Sequence, residues 1–270
     1  MSASQRLFVR HEGAVRVLVN HHPERRNALS PEFFDGAMQA LAAAEQDAQV
    51  GAIVLTGAGS FFCAGGDLNS LALRREMTAD ERRQRLELLH GLVRRLRDCG
   101  KPVIAAVEGG AAGAGLSLAL ACDLLVAARG AQFGISYVKV GLTPDGGITS
   151  FLSDLVPRQC VTEWCLTGRP FDAERLHALG AVNRLVAPGQ ALAEAIALGQ
   201  DLARGPARAM AAIKALCRAA PERTLDEQLD AEREAMVLSQ ADAESAEGIA
   251  AFLNKRRPDF HGRRETRAER

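Results

Sequence analysis

The sequence lacks the features that mark membrane, secreted and nucleic-acid-binding proteins. Its 33 lysines and arginines balance 33 aspartates and glutamates, and a net charge of zero argues against bulk binding to nucleic acid or to an anionic membrane. No uncharged apolar run reaches the length of about 18 residues that suggests a membrane-spanning helix. Residues 1–10 contain no apolar stretch of the signal-peptide type. We therefore expect no membrane segment and no nucleic-acid partner.

Cysteine patterns typical of metal or disulfide chemistry are also missing. The six cysteines form no C-x-x-C pair, and no histidine lies at zinc-finger spacing from them. In a chain of this length we expect reduced, mostly packed thiols. The pattern favours a cytoplasmic protein without a metal centre.

The distribution of apolar residues predicts an α/β fold. Apolar runs of strand length occur at 52–55, 103–107 and 124–127, each bounded by glycine, proline or charge, which indicates strands buried on both faces. Valines alternate with other residues at 15–19, which predicts a half-buried strand. Strand and helix patterns alternate up to about residue 188, as in α/β proteins.

Helix signals are clearest at two starts and in the C-terminal third. Ser30-Pro31-Glu32 combines a hydroxyl N-cap, a proline at the first helical position and an acid in the first turn. Thr78 and Glu81 have the spacing of a capping box. Amphipathic patterns after residue 188 predict helices at 191–203, 206–219, 225–238 and 246–255.

These patterns divide the chain into three parts. An α/β core is predicted at 1–188 and a helical C-terminal region at 189–260. The helical region is too small for us to predict that it folds as an independent domain. The charged tail, 261–270, is predicted to be disordered.

Two clusters of small residues each lie between an apolar strand and a following helix. The first runs from Cys63 to Gly66 and precedes Asp67, which can cap the next helix; the second is 109–115. Small residues leave backbone N–H groups open to a ligand, and the first amides of a helix have no partner within it. Two such donors that converge on one oxygen form an oxyanion hole. Alternatively, the glycines serve only close packing of helix against strand.

At these residues the sequence resembles the enoyl-CoA hydratase/isomerase (crotonase) superfamily. The resemblance is carried by 62–68, 109–123 and 252–256, and it extends in order over about residues 7–260. It implies an α/β fold built as a crotonase-like spiral of ββα units, with a helical C-terminal trimerisation region. It also implies a homotrimer or dimer of trimers that binds acyl-CoA substrates, with no separate cofactor.

The resemblance further implies an oxyanion hole made by two backbone N–H groups, those of Gly66 and Ala114. Ala64 and Leu68 correspond to positions that line the adenine and pantetheine pocket through backbone contacts.

Basic and aromatic positions for the coenzyme follow from the same resemblance. Arg26, with Arg25 as a near-equal candidate, corresponds to a cation near the coenzyme phosphates. Lys255 would reach a phosphate from a neighbouring subunit, and Phe252 would flank the acyl tunnel. For each basic residue, the alternative is an ordinary solvated surface charge.

The acidic residues distinguish between reactions within the superfamily. Family hydratases use two glutamates, and the matching positions here hold Ser117 and Tyr137, neither of which is a carboxylate. A carboxylate stands instead at Asp145, within the segment 144–147. In the superfamily this position holds the acid of enoyl-CoA isomerases and of the ring-epoxide isomerases of phenylacetate degradation. Segments 109–123 and 144–147 are particularly similar to the latter group.

The sequence therefore predicts an acyl-CoA isomerase that uses enolate chemistry on a double bond or a ring epoxide. Asp145 would remove the proton α to the thioester carbonyl and return it two carbons along, while Gly66 and Ala114 hold the enolate oxygen. In a different interpretation, Asp145 only caps the following helix.

Three other functions remain as alternatives. One is an enoyl-CoA hydratase that uses Asp145. Another is a different enzyme of the same fold, such as a naphthoyl-CoA synthase or a dehalogenase. The third is RNA binding through the arginine-rich segment 74–97, but acids are interspersed among its arginines, which favours a solvated helix face.

Overall fold

Two sheets organise the part of the chain that the computed structural model describes, residues 6–260. The larger sheet has the strand order β1-β2-β3-β4-β6-β9, and only its β1–β2 pair is antiparallel; the smaller has the order β5-β7-β8. The predicted tail, 261–270, lies outside the described residues. The strands are β1 (Leu7–Glu12), β2 (Val15–Asn20), β3 (Ala52–Gly57), β4 (Val103–Val107), β5 (Gly110–Ala112), β6 (Leu124–Ala128), β7 (Gln132–Gly134), β8 (Phe171–Asp172) and β9 (Arg184–Val186).

Helices cover both faces of the larger sheet, which confirms the α/β prediction. Within residues 6–260, none of them combines the length and apolar character that a membrane crossing needs. The helices are α1 (Pro31–Gln46), α2 (Leu68–Leu73), α3 (Ala79–Asp98), α4 (Ala114–Ala121), α5 (Ile148–Leu155), α6 (Arg158–Thr167), α7 (Ala173–Ala178), α8 (Ala191–Ala203), α9 (Ala207–Ala219), α10 (Leu225–Gln240) and α11 (Ala243–Leu253).

Both predicted helix starts are confirmed. The Ser30 side chain accepts a hydrogen bond from the Phe33 N–H at the start of α1. Thr78 and Glu81 exchange the two bonds of a capping box at the start of α3. The last helix begins three residues before the predicted position, because Asp242 caps it by accepting a hydrogen bond from the Glu244 N–H.

The prediction of a half-buried strand at 15–19 is wrong. Every residue of β2 is buried, because β1 and β3 flank it while α1 and α8 cover its two faces. Even Arg16 is buried, with its guanidinium 2.7 Å from the Asp47 carboxylate. Thus α8, which the sequence grouped with the C-terminal helices, covers the sheet of the core.

A lysine on α9 joins the C-terminal helices to the sheet. The Lys214 ammonium donates hydrogen bonds to the carbonyl oxygens of Cys99 at 2.8 Å and Lys101 at 2.6 Å, and it lies 2.5 Å from the Asp123 carboxylate. Asp123 also accepts a hydrogen bond from the Val103 N–H at the start of β4. Burial raises the pKa of Asp123, and the charge of Lys214 opposes this rise. The ammonium thus stabilises the ionised carboxylate.

We expect Lys214→Met to lower the free energy of unfolding by about 3 kcal/mol, because it leaves a largely buried carboxylate without its cation. Urea unfolding followed by circular dichroism measures the change. Arg204→Met is the matched control: it removes an exposed ion pair with Asp201, and its effect should stay below about 0.5 kcal/mol. Equal losses in the two variants would contradict a structural role for Lys214.

Candidate active site

The two clusters of small residues lie against each other. The Ala112 N–H donates a hydrogen bond to the Cys63 carbonyl oxygen at 2.9 Å. A Cβ atom at position 65 would lie 2.6 Å from the Ala112 carbonyl oxygen and 3.1 Å from the Ala114 nitrogen, and one at Gly115 would lie 2.4 Å from the Cys63 carbonyl oxygen. Only glycine permits such close approach. Gly65 and Gly115 therefore do serve packing, and this packing brings the two turns together.

The neighbouring backbone donors are available to a ligand. Ala114 is the first residue of α4, whose N-cap, Gly113, provides no side-chain bond. Among residues 6–260, the N–H groups of Gly66 and Ala114 find no hydrogen-bond acceptor. The dipole of α4 also favours negative charge at its start. The arrangement can therefore stabilise an oxyanion, as the resemblance implies for these two groups.

Asp145 lies in the loop before α5, and its carboxylate does not cap that helix. The N-cap of α5 is Gly147, which provides no side-chain bond. Instead, Oδ1 of Asp145 accepts a hydrogen bond from the Tyr137 hydroxyl at 2.6 Å. The carbonyl oxygen of Asp145 accepts another from the Ser117 hydroxyl at 3.0 Å. The capping interpretation is therefore wrong, and the carboxylate is held by a side chain from outside its own loop.

Local packing places Asp145 beside the helix that begins with Ala114. Gly146 follows it with a φ of +64°, and a Cβ atom there would lie 2.9 Å from both the Ser117 Cβ and the Leu89 Cδ2. Glycine at this position lets the loop approach α4 closely. Ser117 is three residues after Ala114, so both lie on the same side of α4. One helix thus carries the predicted oxyanion donor, Ala114, and a residue that contacts Asp145, Ser117.

Tyr137 lies between Asp145 and the start of α4. A Cβ atom at Gly113 would be 3.5 Å from the phenolic oxygen of Tyr137. Burial raises the pKa of the phenol, and the negative charge of Asp145 raises it further. Tyr137 therefore remains a hydrogen-bond donor at neutral pH. From the sequence, Tyr137 and Ser117 were recognisable only as replaced glutamates, and their contacts with Asp145 were not predicted.

The residues predicted to meet the coenzyme form a second group, adjacent to the first turn. The Ala64 N–H donates to the Arg26 carbonyl oxygen at 2.9 Å. The Arg26 guanidinium lies over the Phe61 ring, 5.5 Å from its centroid, whereas Arg25 is 2.5 Å from the Asp67 carboxylate. Since Arg25 already has a carboxylate partner, Arg26 is the better placed of the two to meet a phosphate.

Asp67 organises this surface as the N-cap of α2. Its side chain accepts a hydrogen bond from the Ser70 N–H, and this bond, followed by that from Arg25, lowers its pKa. Leu68, the first residue of α2, is 63% exposed next to Gly66 in the chain. The predicted capping by Asp67 is confirmed, and it presents Leu68 at the surface beside the first turn.

Phe252 and Lys255 lie at the end of α11, and their helix packs on the other C-terminal helices. Phe252 is 84% exposed, and Lys255 has a φ of +51°. The helix contacts α10, and Glu244 in its first turn accepts a hydrogen bond from the Arg208 N–H of α9. The structure therefore groups six of the predicted site residues near the two turns and leaves these two apart.

The Cys63 thiol, at the start of the first turn, is buried. Burial raises the pKa of Cys63 to about 12, so the nucleophilic thiolate is scarce at neutral pH. Within residues 6–260, no three histidine, cysteine or acidic side chains are grouped to hold a metal ion. The groups at this site include the carboxylate of Asp145 and the backbone N–H groups of Gly66 and Ala114.

The chain resembles known proteins over nearly its whole length. A sequence profile described as enoyl-CoA hydratase/isomerase matches residues 10–263. The chain is 38% identical to the 1,2-epoxyphenylacetyl-CoA isomerase of Escherichia coli K12, over 93% of this chain and 97% of that protein. It is 35% identical to the 2,3-dehydroadipyl-CoA hydratase of the same organism, over 95% and 99%. The crystal structure of an enoyl-CoA hydratase from Polaromonas sp. JS666 matches with a TM-score of 0.92 and 43% identity, over 94% and 98%.

Proposed function

Because the chain belongs to the enoyl-CoA hydratase/isomerase family, we propose that it isomerises a coenzyme A thioester through an enolate. One observation carries the choice of isomerisation over hydration. The positions that correspond to the two hydratase glutamates hold Ser117 and Tyr137, and both contact Asp145. The site thus has one carboxylate where hydration uses two.

In the proposed reaction, Asp145 breaks the C–H bond α to the thioester carbonyl. The electron pair moves onto the carbonyl oxygen, where the N–H groups of Gly66 and Ala114 stabilise the negative charge. The carboxyl group then delivers the same proton two carbons along, and the electrons return to carbon. The atoms balance without water, metal or a separate cofactor.

The coenzyme would lie along the surface beside the first turn. Backbone atoms of Ala64 and Leu68 would line its adenine and pantetheine portions, and Arg26 would meet its phosphates. The relative named as a 1,2-epoxyphenylacetyl-CoA isomerase favours an activated ring as the acyl group. A simple 3-enoyl thioester suits the same proton transfer and is the practical test substrate.

The C-terminal helices support the proposal of a homotrimer or a dimer of trimers. Several large apolar side chains of α10 and α11 are more than half exposed: Leu225, Leu229, Met236, Val237, Leu238, Ile249, Phe252 and Leu253. Exposed apolar area of this kind typically marks an interface between proteins. In such an assembly Lys255 would reach a coenzyme phosphate of the neighbouring subunit, and Phe252 would flank its acyl tunnel.

Hydration is the second candidate, because the relative that is 35% identical is named as a hydratase. A direct comparison of two rates separates the candidates. We expect the unmodified protein to convert a 3-enoyl-CoA at least about tenfold faster than it hydrates crotonyl-CoA, because hydration needs a second acid–base group. Chromatography of the thioester products measures the first rate, and loss of the enoyl-thioester absorbance measures the second. Faster hydration that persists in Asp145→Asn would replace the isomerase proposal with the hydratase one.

A further inference from the structure

We propose that Tyr137 is a positioning residue that fixes the Asp145 carboxylate in one orientation, so that the proton passes between two carbons without exchange into water. The proposal rests on the isomerase function proposed above. It adds a residue that the reaction scheme itself does not need, since Tyr137 neither takes nor gives a proton in that scheme.

The two carboxylate oxygens of Asp145 have different surroundings. Oδ1 of Asp145 accepts the short hydrogen bond from Tyr137. Among residues 6–260, Oδ2 accepts no hydrogen bond, so it remains able to accept a proton. A carboxylate that rotated freely would exchange the two oxygens and turn its proton towards solvent. The bond from Tyr137 opposes that rotation.

The backbone at Asp145 is held in place by contacts on both sides of its carbonyl group. Its carbonyl oxygen is bonded to Ser117, and the following Gly146 packs against Ser117 and Leu89. Rotation about the side-chain bonds is therefore the main freedom that remains. Tyr137 is the described side chain that hydrogen-bonds the carboxylate and restricts this freedom.

Tyr137 is itself held in place. Its carbonyl oxygen accepts a hydrogen bond from the Leu142 N–H at 3.0 Å, within the loop that leads to Asp145. Its ring lies against Gly113 at the start of α4. Because its pKa is raised by burial and by the charge of Asp145, the phenol does not compete as a proton acceptor. The hydroxyl can therefore orient the carboxylate throughout the proton transfer.

The experiment compares Tyr137→Phe with the unmodified protein on a 3-enoyl-CoA in deuterated water. We expect kcat to fall about tenfold, since one hydrogen bond to a charged group is lost, while KM stays within about twofold because the phenol does not bind the coenzyme. In the unmodified protein most of the product should retain the transferred hydrogen. In Tyr137→Phe most of the product should carry deuterium at the receiving carbon, as mass spectrometry would show.

Thr56→Val is the matched control, because it also removes one buried hydroxyl. Thr56 donates to the Ala106 carbonyl oxygen at 2.9 Å within the larger sheet, away from the proposed site, so its kcat and hydrogen retention should match those of the unmodified protein. Thermal unfolding of all variants checks their folding.

Two results would overturn the role of Tyr137. One is wild-type kcat and hydrogen retention in Tyr137→Phe while Asp145→Asn is inactive, which leaves the isomerase proposal intact. The other is complete exchange of the transferred hydrogen in the unmodified protein, which needs no variant to fold. Full activity of Asp145→Asn would instead remove the proposed function itself.

Discussion

Asp145→Asn should reduce the isomerisation rate of a 3-enoyl-CoA by about 100-fold or more, because the amide keeps the size of the side chain but cannot accept the α proton. Tyr137 can still donate its hydrogen bond to the amide oxygen, so the loop should keep its geometry. Affinity for a saturated acyl-CoA, measured by calorimetry, should therefore change little. The loss is expected in kcat, as for a group that acts in the transition state.

Asp154→Asn provides the matched control for this variant. Asp154 is an exposed carboxylate on α5, the helix that follows Asp145, so the same chemical change is made outside the site. Its rate should equal that of the unmodified protein. Near-normal turnover in Asp145→Asn would show that another group moves the proton.

Gly66→Pro should reduce kcat by about 100- to 1,000-fold, the range found when one oxyanion donor is removed. Proline has no N–H, so the substitution deletes the donor itself. Gly66 is absent from the residues with positive φ, so its backbone lies outside the left-handed region that proline cannot adopt. Steady-state kinetics on a 3-enoyl-CoA measures the effect.

Gly66→Ala separates the missing donor from the added atoms. A Cβ at position 66 would lie 3.4 Å from the Leu71 Cδ1, an ordinary contact, and alanine retains the N–H. The ratio of kcat between the alanine and proline variants therefore reports the donor. Equal activity in the two variants, with unchanged thermal unfolding, would place the enolate oxygen elsewhere.

The elements of the fold were largely predictable because their signals are local. The buried strands at 52–55, 103–107 and 124–127 are uninterrupted apolar runs, and the helix at Ser30 has its cap, proline and acid within three residues. The burial of β2 was not predictable in this way. It depends on α8, which reaches the sheet from more than 170 positions later in the chain.

In the proposed site, too, the residues with local signals were predictable and the contacts between distant segments were not. The family motifs predicted Gly66, Ala114 and Asp145, because each lies in a short segment with a distinct pattern of small residues. The bonds from Ser117 and Tyr137 to Asp145 depend on how the segment 137–146 packs against α4, and no short segment encodes them. A substitution at a position that normally bears an acid was the one available signal. It indicated what the site lacks without showing what the new residues do.

The lysine that joins α9 to the sheet also has a consequence for the order of folding during synthesis. Lys214 follows its partner Asp123 by about 90 positions, and ribosomes add about 5–20 residues per second, so roughly 5–18 s pass between them. Throughout that interval the nascent sheet carries an acid that has yet to meet its counter-ion. The last third of the polypeptide thus supplies the cation for an acid at the edge of the sheet, and this ion pair forms only late in translation.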